Sequence, residues 1–126
     1  MKGQLVPVVV VAALAGCSKV HEQFAFTVQA GGVHNLKVSA PLSQQTVKVE
    51  MTSDQPVSTW VVLEKEVPNG ADEFDPEKLR PEAILAKQKD AKEASLTATV
   101  PAKEKFRVYI NGAVKTANVT VKIDSQ

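Results

Sequence analysis

Four features of this 126-residue chain have side chains suited to chemistry. The chain has one cysteine, Cys17, and two histidines, His21 and His34. An acidic run reads Asp72-Glu73-Phe74-Asp75-Pro76-Glu77, and the single tryptophan is Trp60. A nucleophile needs a base beside it and a third group to orient the base. Neither histidine has such a partner nearby in the sequence, so no catalytic residue is assigned and an enzyme is not expected. No CxxC or HExxH spacing occurs, which argues against a zinc site. Closely spaced carboxylates suit calcium, making Asp72, Asp75 and Glu77 the candidate metal ligands. The run lacks the alternating acids and closing glutamate of a complete calcium loop, so solvated loop acids are the competing reading. No cofactor is expected.

Cys17 lies behind a leader, MKGQLVPVVVVAALAG. Lys2 supplies a basic start, Leu5 to Ala15 an apolar middle interrupted by Pro7, and small residues the end. That is the layout of a secretory signal. The apolar stretch falls short of the roughly 20 residues a bilayer-spanning helix needs. Leu14-Ala15-Gly16-Cys17 resembles the lipobox of bacterial lipoproteins. The resemblance implies cleavage between Gly16 and Cys17, a diacylglyceryl group on the Cys17 sulfur, and often an acyl chain on the new amino group. Two or more acyl chains anchor stably where one does not, since each buried methylene contributes about 0.8 kcal/mol. Lipidation also accounts for a lone thiol in an exported chain. In bacteria with two membranes, Ser18 after the cysteine resembles cargo sent to the outer membrane. The expected organisation is a signal peptide over 1–16, a lipidated tether over 17–22, and one domain over 23–126.

Lysine and arginine number 15 against 14 acids, and Lys2 lies within the leader, so the remainder is neutral. Neutrality gives no electrostatic footprint for nucleic acid.

From Glu22 onward apolar residues recur with period two, the signature of half-buried strands. Phe24, Phe26 and Val28 form the first series; Leu36, Val38 and Ala40 the second; Val47, Val49 and Met51 the third. Ser53-Asp54-Gln55-Pro56 reads as a turn. Val57, Thr59, Val61 and Leu63 follow, then Leu96, Ala98 and Val100, then Phe106, Val108 and Ile110. Ala117, Val119, Val121 and Ile123 close the chain. Seven short strands separated by turn signals predict an all-β fold, an antiparallel β-sandwich. Asn111-Gly112 resembles a tight hairpin turn. A two-residue loop would set Val108 against Lys115 and Val119 against Glu104, mixing buried and solvent faces. A longer connection, a bulge or a crossing to the other sheet is expected instead.

Residues 65–93 break the alternation. A gap this long is expected to carry its own structure. Asp75-Pro76 reads as one helix start, and Pro81 to Lys87 as a second short helix. The expected excursion is therefore long and partly helical. Its acids (Asp72, Glu73, Asp75, Glu77) precede its lysines (Lys87, Lys89, Lys92). Strand four is apolar on both faces, with Val57, Val61 and Leu63 one way and Trp60 and Val62 the other. Either the excursion covers Trp60 and Val62 through Leu79, Ile84 and Leu85, or the pair is exposed and binds a sugar or protein.

The stretches "FAFTVQAGGVHNLKV", "PVSTWVVLEKE" and "ASLTATVPAKEKFRVYI" resemble the pre-peptidase C-terminal type of bacterial extracellular β-sandwich. That family often has acidic residues before its central strand; here only Asp54 is near. The resemblance implies an accessory or binding module. The expected role is a lipid-anchored, non-catalytic envelope module that binds or supports another protein. Its expected partners are the membrane, through Cys17, and an envelope protein. The alternatives are a carbohydrate-binding module using Trp60 and a calcium-stabilised module.

Overall fold

The computed structural model describes residues 20–38, 40–67 and 78–126. The leader, Gly16, Cys17 and Ser18 lie outside the described residues, as do Asp72, Asp75 and Glu77. Six strands occur among the described residues: β1 His21–Val28, β2 His34–Val38, β3 Gln45–Leu63, β4 Ile84–Val100, β5 Phe106–Asn111 and β6 Ala117–Ser125. All pairings are antiparallel, in the order β1-β6-β3-β5-β2, with β4 on the other edge of β3.

The all-β, antiparallel expectation holds, and its details change at two places. The third and fourth expected strands are one 19-residue strand, β3. Straight, it would run about 60 Å at roughly 3.3 Å per residue. A domain of about 100 residues has a radius of gyration near 13 Å, so such a strand has to bend. The bend falls at Ser53–Pro56, the expected turn. Ser53 Oγ donates to the Gln55 carbonyl at 2.7 Å and accepts the Gln55 N–H at 3.2 Å. Pro56, without an N–H, tolerates the break in the ladder. Val47–Ser53 pair with β6, and Ser58–Leu63 pair with β5. One strand thus serves two wings, β1-β6-β3 and β3-β5-β2.

The second change is in the excursion. Residues 84–93 are strand, paired along 52–62 of β3. The helix expected from Pro81 to Lys87 is only a 3-10 turn over Pro81–Ala83, and a second turn covers Glu64–Glu66. Helix propensity in Ala83-Ile84-Leu85-Ala86-Lys87 loses to the ladder offered by β3. At the other end, β1 begins at His21, inside the expected tether, and Ser125 N–H bonds to the Val20 carbonyl at 2.8 Å.

The wings enclose one core. Val47, Val49, Met51, Val57 and Val61 of β3 pack with Leu96, Ala98 and Val100, with Phe106, Val108 and Ile110, and with Ala117 to Ile123. The inward residues of β3 keep odd numbers through the bend, so the pleat holds its phase. β5 and β6 do not form a hairpin. They pair with different halves of β3, which is the crossing expected from the mismatched faces. Gly112 at the crossing has φ +79, and an added Cβ would lie 3.2 Å from Ser58 Oγ, so glycine fits here.

Candidate functional site

The second wing is covered on its outer face as well. Trp60, Val62 and Tyr109 form a satellite cluster, with Val33, Val67, Leu79 and Ile84 against it. The register builds a row across four strands: Lys87, Trp60, Tyr109 and Asn35. Trp60 is 5% exposed and Val62 is 0% exposed. The covered alternative is therefore the observed one. Leu79 and Ile84 supply the cover, whereas Leu85 packs against the main core. Ile84 and Leu85, adjacent in the strand, fall on opposite sides by the ordinary alternation of the pleat.

Trp60 Nε1 donates to Asn111 Oδ1 at 2.9 Å, so the asparagine of the turn-like Asn111-Gly112 pair fixes the indole. The Lys87 and Lys89 ammonium groups stand over the same ring, 5.7 and 5.5 Å from its centre. Beyond Lys89, Lys89 and Asp90 together oppose Ser58, a bulge in which Asp90 adopts φ 49 and donates its N–H to Ser58 Oγ at 3.2 Å. Sheet bulges re-aim side chains where they occur.

The result is a groove of about 470 Å³ lined by Trp60, Leu79, Pro81, Ile84, Ala86, Lys87 and Lys89. Its size falls within the range of small ligand sites. Val62 lies beneath the site and does not line it. Arg80 flanks the groove and is clamped by Glu66 through bonds of 3.0 and 2.9 Å. The Glu66 carboxylate holds the Arg80 guanidinium above its ordinary value. Arg107 bonds Glu64 at 3.0 Å and donates to the Tyr109 hydroxyl at 3.3 Å. Chemically, the groove offers hydrocarbon walls and two ammonium groups.

The histidines lie elsewhere. His21 Nδ1 is 3.0 Å from Asp124 Oδ1 at the exposed start of β1. His34 stacks on Phe26 with ring centres 3.8 Å apart. Burial lowers the His34 pKa below 6.5. The sequence points to Trp60 but places Lys87 and Lys89 only among the late lysines of a partly helical excursion. Their spacing of two, around Gln88, was the available strand signal.

No family model matches the chain, and no curated protein matches it by sequence. Solved structures share its fold. The mitogen from Yersinia pseudotuberculosis is 9% identical with a TM-score of 0.56, over 85% of this chain and 86% of that one. PliG from Aeromonas hydrophila, a periplasmic inhibitor of g-type lysozyme, is 13% identical with a TM-score of 0.52, over 86% of both chains. The pre-peptidase C-terminal domain of the Bacillus anthracis collagenase is 12% identical with a TM-score of 0.50, over 82% of this chain and 89% of that one. The last is the fold type that the sequence stretches resemble.

Proposed function

We propose that this protein is a lipid-anchored module of the bacterial cell envelope that binds another protein and performs no chemistry of its own. The observation that carries the reading is the groove at Trp60. It is a concave apolar surface with cations at its rim, built on paired strands. Rigid scaffolds that present a few loop and edge residues are a common basis for recognition. The fold likeness adds support, because one protein with this fold is an inhibitor of an enzyme. A neutral-sugar module using Trp60 is less well supported: the indole is 5% exposed and two lysines stand over it, leaving little ring face for stacking.

The anchor belongs to the same proposal. Leu14-Ala15-Gly16-Cys17 would place the lipid on Cys17, and Ser18 favours the outer membrane where there are two. Cys17→Ala should leave the precursor uncut and free of lipid label; label that persists would refute the anchor. The partner is tested by whole-cell crosslinking and affinity capture of the tagged protein. A defined envelope protein recovered in stoichiometric amount is expected. Recovery of cell-wall glycan alone would overturn the reading.

A further inference from the structure

Lys87 and Lys89 converge on one indole ring, at 5.7 and 5.5 Å from its centre. Three other cations near this end of the sheet, though not Lys37 or Lys105, have carboxylate partners among the described residues: Arg80 with Glu66 and Glu82, Lys65 with Glu104, and Arg107 with Glu64. Among the described residues, Lys87 and Lys89 have none. Two unneutralised ammoniums at one ring repel each other, and the ring quadrupole offsets this only in part, by about 0.5–1 kcal/mol per exposed contact. Lysines on an edge strand also discourage pairing with other sheets. That role is served by ammoniums extended into water and does not require both to gather over Trp60.

The groove beside them is lined by Leu79, Pro81 and Ile84, and among the described residues its hydrogen-bonding side-chain groups besides the ammoniums belong to Trp60. The indole N–H is already bonded to Asn111. A sugar ring, whose hydroxyls need donors and acceptors, would find few partners there. A hydrocarbon side chain with a carboxylate next to it matches both parts of the site. We infer that the groove binds an acidic segment of the partner protein. One large apolar side chain of that segment enters between Leu79, Pro81 and Ile84, and a neighbouring carboxylate bridges Lys87 and Lys89. This inference rests on the protein-partner reading above and names the chemistry of the partner's contact.

Trp60 is the single tryptophan, so its emission reports on the groove alone. The full-length protein in detergent would be titrated with a capped peptide holding one phenylalanine flanked by aspartates. Controls are the same peptide with lysines for aspartates, and trigalacturonate. The acidic peptide should shift Trp60 emission saturably. Raising ionic strength from 0.15 to 1 M, which shortens the Debye length from about 8 to about 3 Å, should weaken it. The variant Lys87→Gln/Lys89→Gln, shown by melting to be folded, should bind about tenfold more weakly, the sum of two surface charge contacts. Four results would each overturn the inference: equal binding of the lysine peptide, unchanged binding by the variant, no saturable shift up to about 1 mM, the weak end of specific recognition, or binding of trigalacturonate without the peptide. If a partner is captured from cells but the acidic peptide does not bind, this inference falls alone. If the peptide binds but cells yield no protein partner, the functional reading falls and the groove's chemistry stands.

Discussion

Phe26 and His34 stack face to face, 3.8 Å between ring centres and 7° between planes, and join the two strands at opposite ends of the β1-β6-β3-β5-β2 path. The stack closes the seam where the wings meet. Burial disfavours the charged imidazole and lowers the His34 pKa from 6.5. The folded state therefore prefers the neutral ring. The stability this ring confers is complete above pH 6.5 and falls as pH drops through 6.5 toward the lower folded value. An NMR titration of the His34 ring should give a midpoint below 6.5. A midpoint above it would show that the imidazolium is the favoured form.

Asp54 ties the bend of β3 to β6. Its carboxylate accepts the Asn118 backbone N–H at 2.9 Å and the Asn118 side-chain N–H at 3.0 Å. The Asn118 backbone bond, then its side-chain bond, lowers the Asp54 pKa from 3.8. The linkage is present above 3.8 and is lost as pH falls through the lower folded value. In Asp54→Ala the Asn118 amide should lose hydrogen-exchange protection while amides of the core strands keep theirs. Unchanged protection would mean that the bend is held by other contacts.

Thr59 is wholly buried on β3, and its hydroxyl has no hydrogen-bond partner among the described residues. Valine has nearly the same shape without the polar atom. An unsatisfied buried hydroxyl costs about 1–3 kcal/mol, so Thr59→Val should stabilise the fold by about 1 kcal/mol or more. Urea unfolding would show a higher midpoint with an unchanged slope. A lower midpoint would show that the hydroxyl makes a favourable bond.

Trp60 and Asn111 are joined by one hydrogen bond of 2.9 Å. Trp60→Ala should cost about 3–5 kcal/mol, as expected for a large buried aromatic. Trp60→Phe and Asn111→Ala each remove the bond, and a double-mutant cycle should return a coupling near 1 kcal/mol. No coupling would separate the indole's packing from its polar anchor. Because Trp60→Ala damages the fold, the lysines are the cleaner probes of the groove.

The alternating strands were legible because β-branched and aromatic residues at period two can bury only one face of a sheet. Val47-Lys48-Val49-Glu50-Met51 and Ala117 to Ile123 are such cases, and both are inward-facing core strands. The apolar residues on both faces of Trp60-Val61-Val62 also signalled a second packed layer. Ser53-Asp54-Gln55-Pro56 misled because turn chemistry and bulge chemistry use the same residues; only the long-range partners on β5 and β6 show that the strand continues. Ile84 to Lys87 misled because its residues favour a helix locally, whereas the strand state of 84–93 depends on β3, more than 20 positions away in sequence for every pair. The same error hid the site: Lys87 and Lys89 share a face only in a strand.

A protein partner that meets the groove can be caught by a photo-crosslinking residue placed at Lys89 in one variant and at Lys122, on the outer face of β6, in another. Both would be irradiated in living cells. One defined protein adduct is expected at position 89 and none of that protein at 122. The same adduct at both positions, or at 122 alone, would contradict a partner at the groove.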